Sequence, residues 1–122
     1  MTDLKLRTIN SLHPLSDLPI SSTLEACKTV LIDHYGQRLK GLILFGSAAR
    51  QEMTDRSDID LLVLLPSNLD HAQELSTLVD LLYHLQLEAT HWISVKPAAQ
   101  DDFEAGNTQL YRNIQKEGIS LL

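Results

Sequence analysis

The spacing of apolar residues along the chain predicts three helices. Apolar positions that recur every three or four residues mark one face of a helix, because about 3.6 residues complete a turn. This pattern predicts a helix from Ser21 or Ser22 to about residue 35, the longest helix over about residues 69–85, and a last helix over about residues 107–116. Each of these helices has an apolar side that must pack against another element.

Three continuous apolar runs predict buried strands. They cover residues 39–45, 58–65 and 88–96, and Pro66 and Pro97 follow the second and the third run. The expected order is therefore helix, strand, strand, helix, strand, helix. This order predicts an α/β (α+β) fold in which a small mixed sheet has its helices packed mainly on one face.

The first twenty residues differ from the rest of the chain. Pro14 and Pro19 each disfavour a helix immediately before them, while apolar residues still recur through this stretch. We therefore expect residues 1–20 to form an arm that packs on another surface. Residues 21–122 are expected to form a single domain, because 122 residues provide material for only one ordinary hydrophobic core.

Composition and charge exclude several classes of protein. Sixteen acidic residues against ten basic residues give a net charge of −6, so direct binding to nucleic acid is not expected. Cys27 is the single cysteine, which excludes a disulfide framework and a cysteine-built metal site. The apolar runs are too short to cross a bilayer, and the first residues lack the apolar stretch of a signal peptide. These features favour a cytoplasmic protein without a membrane partner.

Candidate chemistry is concentrated where the first two predicted strands meet. Gly46-Ser47 follows the first strand and opens a short helical stretch, and Asp58-Ile59-Asp60 begins the second strand. Because side chains alternate along a strand, both carboxylates are expected on one face, where they repel each other unless a cation lies between them. Mg²⁺ binds such oxygens together with substrate phosphates, and a glycine turn lets a phosphate approach the backbone. The combination predicts metal-assisted attack on a nucleotide α-phosphate.

Other interpretations of these two motifs are weaker. An EF-hand calcium loop is not expected, because an apolar strand follows Asp60 where that loop has a glycine and a closing glutamate. The Gly46-Ser47 turn lacks the lysine of a Walker loop and the flanking glycines of a nucleophile elbow. A solvated strand start with a capping aspartate remains the alternative explanation of Asp58-Ile59-Asp60.

The two motifs together resemble the nucleotidyltransferase superfamily that has the DNA-polymerase-β-type palm. The family pattern is Gly-Ser, ten residues and Asp-x-Asp, which positions 46–60 match completely. The flanking residues 44–45 and 57–61 also resemble the minimal nucleotidyltransferase (MNT) family of single-domain proteins, and the closing residues 111–119 are similar to the usual ending of one branch of that family. The resemblance implies a nucleotidyltransferase palm in which Asp58 and Asp60 bind Mg²⁺ or Mn²⁺ and act in catalysis. It also implies that Gly46, Ser47 and Arg50 bind the phosphates of ATP.

The resemblance further implies a partner protein. MNT proteins are typically encoded beside a HEPN-domain ribonuclease, which they neutralise as its antitoxin. In characterised pairs the nucleotidyltransferase transfers AMP from ATP to a tyrosine of the toxin. The net charge of −6 would favour docking on the basic surface expected of a nuclease. We therefore expect this chain to act as the antitoxin of a HEPN/MNT toxin–antitoxin system.

Two departures from the family pattern leave alternatives open. Gln51 follows Arg50, where the family often has glycine, and the guanidinium of Arg50 could instead pair with Glu52 or Asp55. The third metal carboxylate of the family comes from the later strand, where Glu88 could face the site only if that strand extends back to it. Without a third carboxylate, the chain would be a weak or inactive palm that inhibits its partner by binding. A stand-alone transferase that acts on a small molecule is the third alternative.

Overall fold

The computed structural model describes Arg7–Thr8 and residues 20–122. Its elements in chain order are β1 (Arg7–Thr8), α1 (Ser21–Tyr35), a 3-10 turn (Gly36–Arg38), β2 (Gly41–Phe45), β3 (Ile59–Leu65), α2 (His71–Glu88), β4 (Ile93–Ala99), α3 (Gln100–Ala105), α4 (Gln109–Glu117) and β5 (Ile119–Ser120). All three predicted helices and all three predicted strands are present. The short elements β1, α3 and β5 were not predicted.

The strands form one mixed sheet in the order β1-β5-β2-β3-β4. β2 is antiparallel to both of its neighbours, β3 and β5, whereas β3 and β4 are parallel, as are β1 and β5. The parallel connection from β3 to β4 is made by α2, which is the crossover helix that such a pair requires. The predicted α/β fold with a small mixed sheet is therefore confirmed.

The two faces of the sheet are covered by different helices. On β3, alternate residues point to opposite faces, as the strand geometry requires. The buried residues that face α1 and α2 form the larger core with Leu24, Leu31, Leu78 and Leu82 of these helices; they are Ile59, Leu61, Val63 and Leu65. Leu62 and Leu64 face the other way and pack with Phe103 of α3 and Ile114 of α4. The two long helices thus lie on one face, and Asp60 belongs to the face that the two short helices cover.

The bounds of β4 differ from the prediction at both ends. The strand begins at Ile93 because α2 continues to Glu88, three residues beyond the end expected from its apolar spacing. It also continues through Pro97 to Ala99, where the sequence predicted a stop. Within the described sheet β4 is an edge strand, and an edge tolerates a proline because one side of the strand needs no backbone donor.

The predicted N-terminal arm lies outside the described residues, apart from Ile20 and the pair Arg7–Thr8. Ile20 is buried in the larger core, and Arg7–Thr8 pairs in parallel with Ile119–Ser120 at the edge of the sheet opposite β4. Among residues 20–122 and the short β1, no helix is both long and apolar enough to cross a membrane.

Candidate active site

Gly46 lies against the carboxylate of Asp60. β2 ends at Phe45, which is in register with Asp60 on the antiparallel β3, so the turn after β2 starts beside that carboxylate. Gly46 has a φ of +75°, which favours glycine, and a Cβ at this position would overlap Oδ2 of Asp60. Glycine is therefore required here by the backbone conformation and by the space that Asp60 occupies.

The residues after Gly46 form a tight turn instead of the predicted short helix. The backbone N–H of Arg50 donates to the carbonyl of Gly46 at 3.2 Å, and that of Glu52 donates to the carbonyl of Ser47 at 2.8 Å. The two alanines that follow Ser47 are fully buried and fix the turn to the core. The turn thus holds the start of the Gly-Ser motif at the carboxyl end of β2.

Gln51 closes this turn in a conformation that is unusual for its residue type. Its φ is +59°, in the left-handed region that a residue with a Cβ adopts only at a cost in conformational energy. This is the position at which the nucleotidyltransferase pattern often has glycine. Glycine at this position would adopt the same backbone conformation without that cost.

A structured loop leads to Asp58. The backbone N–H of Thr54 donates to Oγ of Ser57 at 2.9 Å, and the N–H of Ser57 donates back to the carbonyl of Thr54 at 3.1 Å. Asp58 follows immediately and is exposed, one residue before β3. The loop therefore fixes the backbone from which Asp58 extends into solvent.

Two hydrogen bonds attach this loop to the segment before β4. Nδ1 of His91 lies 2.8 Å from the carbonyl oxygen of Ser57, to which it can donate, and the N–H of Ile59 donates to the carbonyl of Trp92 at 2.8 Å. These bonds flank Asp58 on both sides along the chain. Neither residue 91 nor residue 92 had been assigned a role at the site from the sequence.

The surroundings of Asp60 oppose its ionisation. Burial raises the pKa of Asp60 above its ordinary value, and the negative charge of Asp58 raises it further. Lys96, Arg50 and a hydrogen bond with Ser94 act in the opposite direction on the same pKa and do not offset the increase fully. Asp60 is therefore a partly buried carboxylate beside the exposed carboxylate of Asp58, and both its burial and this neighbour disfavour its ionised form.

Ser94 and Lys96 of β4 are site residues that the sequence analysis missed. Ser94 is in register with Asp60, and Lys96 is in register with Leu62, so both lie on the face of the sheet that carries Asp60. The alternation of side chains along the third predicted strand was the sequence signal that could have placed Ser94 and Lys96 on one face. The parallel register between β3 and β4 shows that this face is the one that carries Asp60.

Glu88 does not lie on the strand that was expected to carry it. It is the last residue of α2 and lines a surface groove with residues of α1 and α2, on the opposite face of the sheet from Asp60. The strand extension on which its role as third ligand depended is therefore wrong. In the part of the chain that the structure describes, no group of three His, Cys, Asp or Glu side chains is placed to hold a metal ion.

The guanidinium of Arg50 takes part in two ion pairs at the rim of the site. Nε lies 2.8 Å from Oε1 of Glu52, and Nη1 lies 3.3 Å from Oε2 of Glu117 at the end of α4. The pair with Glu52 confirms one of the alternatives that the sequence left open. Both pairs are exposed, and exposed pairs of this kind exchange easily for other anions.

The chemistry of Asp58 and Asp60 fits one divalent cation. Carboxylate oxygens are the ligands that Mg²⁺ and Mn²⁺ prefer, and a cation between the two groups would stabilise the ionised form of Asp60, which burial and the charge of Asp58 disfavour. Two carboxylates leave most of the coordination sphere of Mg²⁺ to water or substrate oxygens. The arrangement therefore fits a metal shared with a phosphate ligand and does not form a closed structural metal site.

Comparisons with known proteins place this arrangement in a family. The family model described as "Polymerase beta, Nucleotidyltransferase" matches residues 25–122. A proposed protein adenylyltransferase of Methanocaldococcus jannaschii is 32% identical over 84 residues, which cover 69% of this chain and 79% of that protein. The crystal structure of a proposed nucleotidyltransferase from Sulfolobus solfataricus aligns with a TM-score of 0.52, over 90% of this chain and 88% of that one. Its sequence identity is 13%, so this likeness shows a common fold.

Proposed function

This chain belongs to the polymerase beta nucleotidyltransferase family, and we propose that it transfers AMP from ATP to a hydroxyl group of a partner protein. The observation that supports this most directly is the contact between Gly46 and Asp60, with Asp58 nearby. It brings the start of the Gly46-Ser47 turn, the proposed phosphate site, against the carboxylate of Asp60. The similarity to a proposed protein adenylyltransferase supports a protein as the acceptor.

The Gly46-Ser47 turn and Arg50 are proposed to bind the phosphates of ATP. Gly46 has no side chain to hold a phosphate away from the backbone, and Ser47 adds a hydroxyl next to it. The guanidinium of Arg50 would exchange its exposed partners Glu52 and Glu117 for phosphate oxygens. These groups hold the triphosphate next to Asp58 and Asp60.

Asp58 and Asp60 are the proposed catalytic residues. Mg²⁺ or Mn²⁺, when bound by these carboxylates, supplies positive charge to the phosphate oxygens during transfer. The acceptor hydroxyl oxygen forms a bond to the α-phosphorus, and the bond from that phosphorus to the bridging oxygen of pyrophosphate breaks. The hydroxyl proton passes to water on the open side of the site, where Asp58 is exposed. Lys96 is placed to balance the charge of Asp60 from β4.

The proposed partner is a HEPN-domain ribonuclease toxin that this chain neutralises as an antitoxin, with a toxin tyrosine as the acceptor. The similarity of residues 46–60 to the MNT family supports this pairing, and the net charge of −6 is suited to a basic nuclease surface.

A second candidate function is inhibition by binding without catalysis. Ser94 is the residue of β4 that lies opposite Asp60, and its hydroxyl does not bind Mg²⁺ as a carboxylate does. Among the described residues, no third acidic side chain joins Asp58 and Asp60 in a metal-binding group. If two carboxylates bind the metal too weakly, the chain would block its partner only by covering it.

The test is co-expression with the protein encoded by the neighbouring gene, followed by incubation of the purified pair with labelled ATP and Mg²⁺. We expect label on the partner, an increase in its mass by one or more AMP groups, and loss of transfer in the double variant Asp58→Asn, Asp60→Asn. The control is Asp33→Asn, Asp55→Asn, which removes two exposed carboxylates and leaves the pair at the start of β3 intact.

The outcomes separate the two candidates. Transfer that is equal in the Asp58, Asp60 variant and in the control would refute these catalytic residues. A stable complex in which the ribonuclease is inhibited but never labelled would favour inhibition by binding. Absence of both complex and label would refute the proposed partner.

A further inference from the structure

One side of α2 exposes a row of large apolar side chains. Leu75, Val79, Tyr83 and Leu87 lie four residues apart along the helix and are 42%, 53%, 56% and 66% exposed. Trp92, just before β4, borders the same surface and is 63% exposed. Monomeric soluble proteins rarely leave so many neighbouring apolar side chains in water, and such a patch marks an interaction surface.

Val79, Tyr83, Leu87 and Trp92 line an apolar groove between α2 and β4, which we call the α2–β4 groove. Its volume is about 220 Å³, and its floor is formed by the buried residues Leu82, Ile93 and Val95. Tyr83 and Trp92 stand on its rim. The surface thus has protruding side chains directly beside a depression, which is the shape that two identical surfaces need to interlock.

The groove is already formed in the single chain. Oε1 of Gln86 accepts a hydrogen bond from the N–H of Ile93 at 2.7 Å, and its Nε2 donates to the carbonyl of His91 at 3.2 Å. These bonds tie the C-terminal part of α2 to the start of β4. Binding at the groove therefore requires little rearrangement of its walls.

The charge of this surface favours contact with a second copy of the same chain. The chain carries a net charge of −6, so two copies repel each other over most of their surfaces. None of the residues that line the α2–β4 groove carries a formal charge, and Asp80 is the one acidic residue between Leu75 and Leu87. Two copies can meet here with few like charges facing each other.

The available area is sufficient for a dimer. Leu75, Val79, Tyr83, Leu87 and Trp92 together expose on the order of 600 Å² of surface, so that two copies would bury about 1,200 Å², the lower end of the range for specific protein interfaces. Contacts of the polar residues around these five would add to that area. Aromatic side chains such as Trp92 and Tyr83 commonly contribute most of the binding energy in such interfaces.

We propose that two copies of this chain form a symmetric dimer through the α2–β4 groove, with the exposed Trp92 and Leu87 of each copy buried by the other. The interface would border the active site, because the carbonyl of Trp92 accepts a hydrogen bond from the N–H of Ile59. Ile59 lies between Asp58 and Asp60 in the sequence. The dimer is independent of the proposed transfer of AMP, since it requires neither nucleotide nor partner protein.

The experiment uses the purified full chain. Sedimentation or light scattering over a wide range of concentrations is expected to show a change from the 13.7 kDa monomer to twice that mass. Trp92 is the only tryptophan, so its emission is expected to shift to shorter wavelength over the same range of concentrations.

The variant Leu87→Lys is expected to raise the dissociation constant of the dimer about tenfold or more, because it would bury a charge in the interface. Leu110→Lys on α4 is the control, since this exposed leucine lies on the opposite face of the sheet.

Four results would overturn the proposal. The first is a monomer at all concentrations with the long-wavelength emission of an exposed tryptophan. The second is a short-wavelength emission that does not depend on concentration, which would mean that the same chain covers Trp92. The third is an emission change in Trp92 only when another protein is added, which would assign the groove to that protein. Equal weakening of the dimer by Leu87→Lys and Leu110→Lys would place the interface elsewhere.

Discussion

Gly46 and Asp60 are in contact where β2 and β3 meet, and both the positive φ of Gly46 and the carboxylate of Asp60 oppose a Cβ at position 46. The change Gly46→Ala is therefore expected to displace the turn, the carboxylate or both. We expect the free energy of unfolding to fall by about 2 kcal/mol or more, from the left-handed backbone and the overlap together. Denaturant unfolding measures this loss, and calorimetry with a non-hydrolysable ATP analogue is expected to show no nucleotide binding.

Gly36→Ala is the matched control for this change. Gly36 also has a positive φ, +54°, but no heavy atom lies within 4 Å of the position where its Cβ would be. At φ +54° and ψ −127° its backbone lies in a region nearly restricted to glycine, so its substitution is expected to cost about 1–3 kcal/mol by backbone strain alone and to leave nucleotide binding intact. Loss of nucleotide binding in both variants would contradict the steric role of Asp60.

The contact between Gly46 and Asp60 belongs to the part of the structure that the sequence could predict. Two apolar strands joined by a short polar connection pair with each other in most folds, so the residues at their facing ends come together. The alternation of side chains along β3 then separates Asp60 from the apolar residues that face α1 and α2. Local pattern was sufficient for these features because each depends on residues that are close in the sequence.

The contribution of β4 could not be predicted in the same way. Which residue of β4 faces Asp60 depends on where α2 ends and on the register between two parallel strands. Gln86 fixes this through bonds to Ile93 and His91, side-chain contacts that no apolar spacing reveals. Glu88 was consequently expected on a strand although it ends a helix, and Ser94 was not recognised as the residue opposite Asp60.

Gln51→Gly is expected to stabilise the protein. Gln51 adopts a φ of +59°, in the region where a side chain is disfavoured and glycine is not. Because glycine also has more freedom in the unfolded chain, the net gain in the free energy of unfolding is expected to be about 0.5–1 kcal/mol. Denaturant midpoints measure it. Asn68→Gly is the control at φ +67°, and a smaller effect is expected there because asparagine tolerates this region better. A destabilised Gln51→Gly protein would contradict the assigned strain.

Cys27 is expected to be inert in the folded protein. Its side chain is fully buried on α1, and burial raises the pKa of its thiol to about 11. A thiol-specific reagent at neutral pH should therefore react only when denaturant unfolds the chain, since both access and the thiolate are lacking. The variant Asp33→Cys adds an exposed thiol on the same helix and should react once without denaturant. Rapid labelling of the unaltered protein would be inconsistent with this core position.

Arg50→Ala is expected to weaken nucleotide binding more than stability. The two ion pairs of Arg50 are exposed, and exposed pairs contribute little to stability because water screens them. Loss of the guanidinium is expected to raise the dissociation constant of ATP with Mg²⁺ about tenfold, with an unchanged melting temperature. Arg56→Ala, an exposed arginine in the neighbouring loop, is the control. Equal affinities for the Arg50 and Arg56 variants would remove Arg50 from the phosphate site.

Asp60→Asn is expected to raise the melting temperature at pH 7 when no divalent cation is present. Burial and the charge of Asp58 raise the pKa of Asp60 above its ordinary value of 3.8, so the folded chain ionises this group less readily than the unfolded chain does. The resulting loss of stability begins as the pH rises through 3.8 and is complete once the pH exceeds the raised pKa of the folded state. The advantage of the asparagine variant should therefore shrink as the pH is lowered towards 3.8 and disappear below it.

Mg²⁺ should stabilise the unaltered protein and not the Asp60→Asn variant. The Asp33→Asn variant, which changes an exposed residue, is the control and should behave like the unaltered protein in all of these measurements. A lower melting temperature for Asp60→Asn at pH 7 would show that the carboxylate is held by favourable contacts, and the unfavourable burial and repulsion inferred for its charge would be wrong.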